Sequence, residues 1–351
     1  MKKNKAILII IFIAIFSVFN QQRINAQGKQ LKVVSIAFYN LENLFDTIDT
    51  PDKNDIEFLP NGSYQWDSKK YNTKLERMSE VIAQIGADVT KSAPTVIGVS
   101  ELENRKVLED LVNMPLLKEY KYEIVHYESP DKRGVDVALL YQSSIMKVLN
   151  TRSATLKIEG IDDFYTRDQL VVSGVIDGET LHFIVNHWPS RSGGEKTSRP
   201  LRNAAADLTR SLVDSIMHTD PTAKIIVMGD LNDDPSNESL IKHLKAKKSI
   251  DETKSGDLFN PMYDMYKKGI GTLAYRDAWN IFDMLILSYP LISKEHEGFK
   301  LYRTRVFDKD FLKNESGKYK GYPKRTHAGG VYQAGYSDHF PVYLFLTKEI
   351  N

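Results

Sequence analysis

Residues that can bind a metal ion or move a proton recur at the ends of predicted apolar strands. They are Asn40, Glu101, His187, Asp230 with Asn232, and Ser337, Asp338 and His339. One acidic residue after a strand is most often a turn or a helix cap, but that explanation weakens when the pattern recurs at several strands. Ligands bind at the edge of an α/β sheet that is formed by strand ends and their loops. The pattern therefore predicts that these side chains meet in one site.

The chain of 351 residues contains no cysteine, which limits the chemistry of such a site. A disulfide framework, a thiol nucleophile and a zinc site with cysteine ligands are all excluded. The reacting groups must therefore be oxygen and nitrogen atoms. With 42% hydrophobic residues and 47 basic against 46 acidic side chains, the composition is typical of a folded protein.

The elements that must position these residues alternate between strands and helices. Enrichment in β-branched and aromatic residues predicts strands over residues 33–39, 95–99, 122–126, 135–141, 169–176, 181–187, 224–229, 282–287 and 342–346. Apolar residues on one face predict helices over about 75–85, 104–117 and 200–218. A polar turn is predicted at 40–43, and the Asp177-Gly178 pair predicts a hairpin. No repeat or linker divides the chain, so we predict one domain of mixed α and β structure over residues 27–351.

The first 26 residues have the pattern of a secretory signal peptide. Lys2, Lys3 and Lys5 precede the apolar run 6–19, and Ala26 is a small residue at the expected cleavage point. A permanent membrane anchor is the alternative, but the run is shorter than the roughly 20 residues that span a bilayer. We therefore expect a secreted, periplasmic or extracellular protein. Removing this basic segment changes the formal net charge from +1 to −3, so local arginines and bound cations would have to attract any polyanion.

Six motifs resemble, in order, those of the endonuclease/exonuclease/phosphatase superfamily, which includes deoxyribonuclease I. They are Phe38-Tyr39-Asn40-Leu41-Glu42-Asn43, Val99-Ser100-Glu101-Leu102-Glu103, Val185-Asn186-His187-Trp188-Pro189-Ser190, Met228-Gly229-Asp230-Leu231-Asn232-Asp233, Phe282-Asp283-Met284-Leu285 and Ser337-Asp338-His339-Phe340-Pro341-Val342. The resemblance covers about residues 31–347. It implies an α/β (α+β) fold, a four-layer α/β/β/α sandwich of two mixed β-sheets flanked by helices, and cleavage of a phosphoester.

The resemblance implies a metal site formed by Asn40, Glu101 and Asp338. Carboxylate and amide oxygens are ligands for hard cations, and a site with few carboxylates leaves water on the ion, which suits Mg²⁺. Mn²⁺ and Ca²⁺ are the alternatives. Glu42 and Glu103 lie close to these motifs, and we expect them to be solvated or to support the ligands from behind rather than to touch metal.

The resemblance also implies the roles of five catalytic residues. Asp283 should pair with His339 and hold its imidazole in one tautomer. Asp230 and Asn232 should orient the attacking water and bind phosphoryl oxygens, while His187 donates to the developing charge. The alternative for His187 is a histidine packed in the core. Whether Asp230 or His339 accepts the proton is left open by the sequence.

Three residues are predicted to contact the substrate: Arg133, Ser190 and Arg191. Arg133 lies in a segment that approaches the phosphate in the family, although its alternative role is a hairpin turn. Ser190 ends the central histidine motif, and Arg191 precedes the flexible run 192–194. That run suits either a phosphate-contacting loop or an ordinary solvated connection.

These features together predict a secreted, Mg²⁺-dependent phosphodiesterase that hydrolyses DNA or RNA without sequence specificity. Tyr275 and Trp279 could stack on a base, although a Trp packed in the core is more common. A sphingomyelinase-like enzyme or an inositol-phosphate phosphatase is the first alternative, because one site can serve different substrates in different members of a fold. An inactive binding module is the second alternative. Nucleic acid is the expected partner, no protein partner is inferred, and a monomer is expected.

Overall fold

The computed structural model describes residues 30–350. Val33–Lys348 form one compact unit, and the few other described residues at each end are grouped apart from it. The predicted signal peptide, residues 1–26, lies outside the described residues. The prediction of a single domain over 27–351 stays a prediction. No helix within residues 30–350 has the length and apolar character needed to cross a membrane.

Strands supply most of the regular structure in the described part of the chain. They are β1 (Gln30–Leu44), β2 (Val96–Leu102), β3 (Tyr122–His126), β4 (Asp136–Gln142), β5 (Met146–Ala154), β6 (Gln169–Ile176), β7 (Glu179–His187), β8 (Lys224–Asp230), β9 (Ala246–Lys247), β10 (Leu258–Phe259), β11 (Leu273–Tyr275), β12 (Ala278–Asn280), β13 (Asp283–Ser288), β14 (Lys300–Val306), β15 (His327–Ala328), β16 (Val331–Tyr332) and β17 (Val342–Ile350).

The helices are fewer and differ widely in length. They are α1 (Ser68–Gln84), α2 (Ala87–Thr90), α3 (Arg105–Val112), α4 (Glu195–Thr219) and α5 (Tyr263–Lys267), with short 3-10 turns at Ile56–Phe58, Lys118–Tyr120, Tyr289–Leu291 and Asp310–Leu312 and a π-helical turn at Ser239–His243. The carboxylate of Asp67 caps α1 and the side chain of Asn104 caps α3, each accepting a backbone N–H three residues later.

Two mixed sheets hold the long strands. The first has the order β14-β17-β1-β2-β4-β3, and β1 and β2 are parallel. The second has the order β5-β6-β7-β8-β13-β10-β9, in which β7 and β8 are parallel and β13 is antiparallel to β8. The short pairs β11-β12 and β15-β16 form separate ribbons.

The side-chain alternation of β1 explains how the layers form. Ile36 and Phe38 belong to the buried cluster that includes residues of the second sheet, such as Met228 on β8. Ala37 and Tyr39 point the other way, into the cluster formed with α1 and α3. Residues of α4 pack into the cluster of the second sheet. The arrangement is the predicted sandwich of two mixed sheets flanked by helices.

Two glycines are needed where backbones come close together. A Cβ atom on Gly98 of β2 would lie 2.5 Å from the sulfur of Met228, so the glycine allows the two sheets to approach. A Cβ on Gly229 of β8 would lie 2.3 Å from the carbonyl oxygen of Asn186 on the neighbouring strand. Gly229 therefore allows β7 and β8 to pair directly beside His187 and Asp230.

Most predicted elements are present, with four notable differences in their bounds. The predicted polar turn at 40–43 is instead a bulged continuation of β1, with Glu42 and Asn43 at positive φ. α4 begins five residues before the predicted start at Pro200, and α3 ends at Val112 rather than near 117. The helix predicted over 75–85 is α1, which begins at Ser68 and ends at Gln84.

Candidate active site

Strand ends from both sheets meet at one edge. Asn40 lies opposite Ser100 in the β1-β2 pair, one residue before Glu101. In the second sheet, Asp230 is in register with His187 on one side and with Asp283 on the other. A hydrogen bond of 3.1 Å from Asn40 Nδ2 to Asp230 Oδ2 joins the two sheets at this edge.

Asp230 is the centre of the site. Its Oδ1 accepts the backbone N–H of Asn232 at 3.0 Å, and its Oδ2 accepts the Asn40 amide. Asn232 has a φ of +52°, and its amide nitrogen donates to the Trp188 carbonyl at 2.9 Å. The turn after β8 therefore holds the carboxylate in place and ties it to the loop that follows His187.

The electrostatic environment of Asp230 favours its neutral form. Burial raises its pKa to about 7, with Asp283 and Glu101 adding to the rise and His339 opposing it. This carboxyl can therefore change its protonation state near neutral pH.

Asp283 and His339 form the predicted pair. The Nδ1 atom of His339 lies 2.7 Å from Asp283 Oδ2, which leaves Nε2 facing Asp230 Oδ2 at 3.9 Å. Burial alone would lower the pKa of His339, but Asp283 and Asp230 together raise it well above its usual value. The shift therefore favours the imidazolium form of His339, whose two ring nitrogens face Asp283 and Asp230.

His187 has the opposite electrostatic character. Burial lowers its pKa well below the usual value, and Arg167, Arg133 and His339 add to that effect. Its Nε2 atom lies 3.6 Å from Asp230 Oδ2 and 3.7 Å from Glu101 Oε1. A neutral imidazole at this position can ligate a metal or donate one hydrogen bond.

A divalent cation fits between these groups. Glu101, His187 and Asp230 each present a ligand atom within 4.8 Å of the others. The charges of Asp283 and Glu101 add to the rise in the Asp230 pKa that burial causes, and a bound cation would offset their repulsion. The carboxylates of Glu101 and Asp230 are oxygen ligands of the kind that Mg²⁺ and Mn²⁺ prefer, whereas the His187 imidazole is a ligand more typical of transition metals. The two carboxylates therefore fit the predicted metal, and Glu101 is the predicted ligand that belongs to this cluster.

The backbone around Glu101 is shaped to aim its carboxylate. Glu101 has a φ of +58° and sits at a register shift between β2 and β4. A bulge of this kind redirects a side chain at a strand end. The backbone N–H of Asn43 donates to Glu101 Oε2 at 3.1 Å, so the bulged end of β1 fixes the same carboxylate.

The other predicted metal ligands, Asn40 and Asp338, lie beside the cluster. The amide of Asn40 donates to Asp230, and its Oδ1 accepts the backbone N–H of Glu42 at 2.8 Å. Asp338 is hydrogen-bonded to the guanidinium of Arg325, and its Oδ1 lies 3.9 Å from His339 Nε2. Asp338 is thus close enough to act on the imidazolium, but an arginine already neutralises it.

Glu42 is buried rather than solvated. It accepts Arg325 Nε at 3.2 Å and the backbone N–H of Thr326 at 2.6 Å, and Lys74 Nζ lies 3.8 Å away. Burial raises the pKa of Glu42 to about 7, with a further contribution from Asp338. Burial likewise lowers the pKa of Lys74 to about 8. Arg325 therefore bridges the Asn motif and the terminal Ser-Asp-His motif.

The three residues predicted to contact the substrate differ in whether their polar groups are available to a ligand. Arg133 is half-exposed, 3.8 Å from Asp131, and close enough to lower the pKa of His187. Ser190 is exposed, and its carbonyl accepts Arg202. Arg191 is held by the carbonyl of Asn232 at 3.0 Å, by Asp233 and Asp234, and by the ring of Phe282. Arg133 and Ser190 are thus open to a ligand, whereas the hydrogen bonds of Arg191 go to the protein.

Arg167 supports the site but was not predicted from the sequence. This buried guanidinium donates to the carbonyls of His187 and Trp188 at 3.2 and 2.7 Å and pairs with Asp131 at 3.2 Å. It fixes the loop that carries the central histidine. Arg167 lies in no recognisable motif, and the partners that explain its burial are remote in sequence, so no local signal pointed to it.

Several solved structures share the fold of this chain. One is an endonuclease/exonuclease/phosphatase family protein from Bacteroides thetaiotaomicron, which is 16% identical to this chain with a TM-score of 0.56. The match covers 92% of this chain and 100% of that protein. TDP2 of D. rerio, complexed with a single-strand DNA product, is 13% identical with a TM-score of 0.53, covering 90% and 99%. The mannosyl-6-phosphatase Bt3783 of B. thetaiotaomicron is 17% identical with a TM-score of 0.53, covering 89% and 99%.

These similarities to solved structures establish the fold, and the sequence itself establishes the family. No curated protein matches the sequence. The family model matches residues 35–348 and therefore spans all six motifs. Members of that family hydrolyse phosphoester bonds and depend on divalent metal ions. The chain belongs to the Endonuclease/Exonuclease/phosphatase family.

Proposed function

We propose that this protein is a secreted, Mg²⁺-dependent phosphodiesterase that hydrolyses nucleic acid. The observation that carries the proposal is the arrangement around Asp230, which faces a neutral His187 on one side and a protonated His339 on the other. Asp230, whose pKa burial raises to about 7, thus belongs to the metal-binding cluster and also faces His339. Hydrolysis of a phosphoester needs these parts together.

Three residues would hold the metal, and one of them also accepts a proton. Glu101 and His187, with Asp230, would hold the metal, which supplies polarisation of the phosphate and stabilises the departing oxygen. Asp230 in its ionised form accepts the proton of the attacking water. The Asn232 backbone and the Asn40 amide keep that carboxylate oriented toward the substrate.

His339 serves as a donor rather than as the base. An imidazolium whose pKa is well above its usual value holds its proton at neutral pH, and its Nε2–H can donate to a phosphoryl oxygen that gains charge. Asp283 fixes the ring by accepting Nδ1–H. Of the two candidates left open by the sequence, Asp230 is therefore proposed as the general base.

Nucleic acid is the proposed substrate because the surface beside the site is locally basic. The segment 308–325 has six basic residues, Lys309, Lys313, Lys318, Lys320, Lys324 and Arg325, against three acidic ones. Lys313 and Arg325 are paired with carboxylates, and the other four form no ion pair within residues 30–350. The whole chain has a formal net charge of only +1, so this concentration is local. A run of cations next to a phosphoester site favours a substrate with several phosphates over one with a single phosphate.

The test is a panel of substrates with the purified protein in Mg²⁺. It contains a single-stranded oligonucleotide, duplex plasmid, sphingomyelin vesicles, a soluble inositol phosphate and a hexose 6-phosphate, each with wild type and His339→Ala. We expect hydrolysis of nucleic acid that the variant loses. Turnover of only the lipid or only the phosphomonoesters would replace the nuclease proposal by the corresponding family activity. Fractionation of cells that express the full chain tests secretion, and retention of uncleaved protein in the membrane would contradict it.

A further inference from the structure

A cavity of about 690 Å³ opens beside the candidate active site. Asp338 and Arg325 line the side of the cavity that is nearest the catalytic centre. Asp338 Oδ1 lies 3.9 Å from His339 Nε2. Its volume is in the range of small-molecule sites, which are typically some 300–1,000 Å³. None of the roles described above uses the remainder of this cavity.

The outer wall of the cavity is aromatic. Tyr275, Tyr319 and Tyr322 all line it. Tyr275 is 62% exposed and Tyr319 is 50% exposed. Exposed tyrosine rings on a concave surface provide flat faces on which a ring of a ligand can stack.

A line of packed rings keeps this wall in place. Phe340 follows the catalytic His339, and Trp279 stacks on Phe340 with centroids 6.1 Å apart. Tyr322 packs against Trp279 at 5.7 Å and against Tyr319 at 5.6 Å. The hydroxyl of Tyr322 donates to Asp277 at 2.6 Å. The aromatic wall is therefore positioned relative to the catalytic histidine by side-chain packing.

Cations lie on the same wall. The guanidinium of Arg276 is 5.2 Å from the centroid of Tyr275, and Nζ of Lys318 is 5.6 Å from the centroid of Tyr319. Within residues 30–350, no carboxylate forms an ion pair with either cation. Flat rings for stacking, combined with unpaired cations, match a nucleotide, which joins a planar base to a phosphate. A lipid tail would need a longer apolar surface, and a single phosphomonoester would use only one of these cations.

We propose that this cavity binds one unstacked base of a nucleotide that flanks the scissile phosphate, so that the enzyme acts on single-stranded nucleic acid in preference to duplex. The proposal rests on the nuclease function proposed above. In a duplex both faces of each base are covered by neighbours, so a base can enter a concave pocket only after it leaves the stack. A single strand presents its bases with less unstacking.

The experiment compares two oligomers of equal length and charge in Mg²⁺. One is a single-stranded oligonucleotide, and the other has an abasic tetrahydrofuran unit in place of every nucleoside. The variants are Tyr275→Ala and Tyr319→Ala, with Tyr319→Phe to keep the ring. Tyr302→Ala is the matched control, because Tyr302 is equally exposed but lies on β14, and it does not line the cavity. Thermal unfolding of each variant establishes that it is folded.

We expect wild type to cleave the base-bearing strand between about 5- and 150-fold faster in kcat/KM than the abasic oligomer, the range expected for one stacked base. Tyr275→Ala and Tyr319→Ala should reduce that preference, while Tyr319→Phe and Tyr302→Ala should keep it. Duplex of the same sequence should be cleaved more slowly than single strand.

The outcomes separate this inference from the function on which it rests. Equal cleavage of both oligomers, or an unchanged preference in folded Tyr275→Ala and Tyr319→Ala, would overturn the base pocket and leave the nuclease proposal intact. Duplex cleaved as fast as single strand would also overturn it. Failure to cleave either oligomer, with turnover of a hexose phosphate or sphingomyelin, would overturn both.

Discussion

The Nδ1 atom of His339 lies 2.7 Å from Oδ2 of Asp283, and this contact decides which nitrogen of the imidazole faces the reaction. Asp283 is fully buried and in register with Asp230 on the adjacent strand. The second sheet thus provides both the carboxylate that holds the imidazolium and the carboxylate that faces its Nε2 atom. Strand register, rather than a flexible loop, fixes the separation of these two acids.

Asp283→Asn should lower kcat and move the alkaline limb of the kcat–pH profile to lower pH. Asp283 contributes to raising the pKa of His339, so without its charge the imidazolium loses its proton at a lower pH. His339→Ala should cost about 10²- to 10⁴-fold in kcat, as is typical of a positioned acid or base. Kinetics from pH 5 to 10 make the comparison.

The double variant distinguishes a pair from two independent groups. If Asp283 acts through His339, the change Asp283→Ala should cost little in a background that already carries His339→Ala. Fully multiplicative losses would show that the two residues act separately.

The motifs were predictable from sequence because each couples an apolar strand to a polar residue at its end. Asp230, His187 and Asp283 are neighbours across paired strands, so the sheet brings together what the motifs indicate separately. The edge strand β5 was not predicted, because it lies at the margin of its sheet and many of its residues are exposed, which weakens the apolar signal.

The partners of buried charges were not predictable. Arg325 bridges Glu42 and Asp338 across 283 and 13 residues of sequence, and Arg167 meets Asp131 only in the folded chain. A charged side chain is normally assigned to the surface, and only its long-range partners reveal that it is buried. For the same reason Glu42 and Glu103 were predicted from the sequence to be solvated or to support the metal ligands from behind.

Glu103→Gln should make the stability of the metal-free protein less dependent on pH. Burial raises the pKa of Glu103 to about 7 from 4.5, so folding favours its protonated form. The stabilising contribution of this group is therefore complete below about pH 4.5 and is lost as the pH rises through 7. The loss is at most about 3 kcal/mol.

Urea unfolding in EDTA at several pH values measures this effect. Wild type should lose free energy of unfolding relative to Glu103→Gln between about pH 4.5 and 7. In wild type the Glu103 carboxylate accepts the backbone N–H of Asp46 at 2.8 Å and the hydroxyl of Thr50 at 2.6 Å. The amide of the variant can still accept the Asp46 N–H and contact Thr50. A constant difference between the two proteins across this range would contradict the assignment.

Gly98→Ala should destabilise the protein by about 1–3 kcal/mol, because the added methyl would overlap Met228 where the two sheets meet. Met228→Ala alone should cost about 2–5 kcal/mol by leaving a cavity. Chemical denaturation of the double variant should give a smaller loss than the sum, since the new methyl occupies part of the vacated space. Strict additivity would show that the sheets do not meet through this contact.

Metal binding should depend on Glu101. Calorimetric titration of folded Glu101→Ala with Mn²⁺ should show much weaker binding than wild type, because the variant leaves only His187 and Asp230 in the cluster. Asp338→Ala should weaken binding less, because Asp338 is paired with Arg325 outside the cluster. The reverse order would place the ion beside Asp338 and favour the ligand set first inferred from sequence.

The metal-dependent role of Asp230 is tested most directly by the rate of phosphodiester hydrolysis by wild type and Asp230→Asn, each measured in EDTA and after titration with Mg²⁺. Wild type should be inactive in EDTA and recover with Mg²⁺, and folded Asp230→Asn should stay at least about 10²-fold slower at saturating metal. Full wild-type activity in EDTA, or wild-type turnover by Asp230→Asn, would contradict that role.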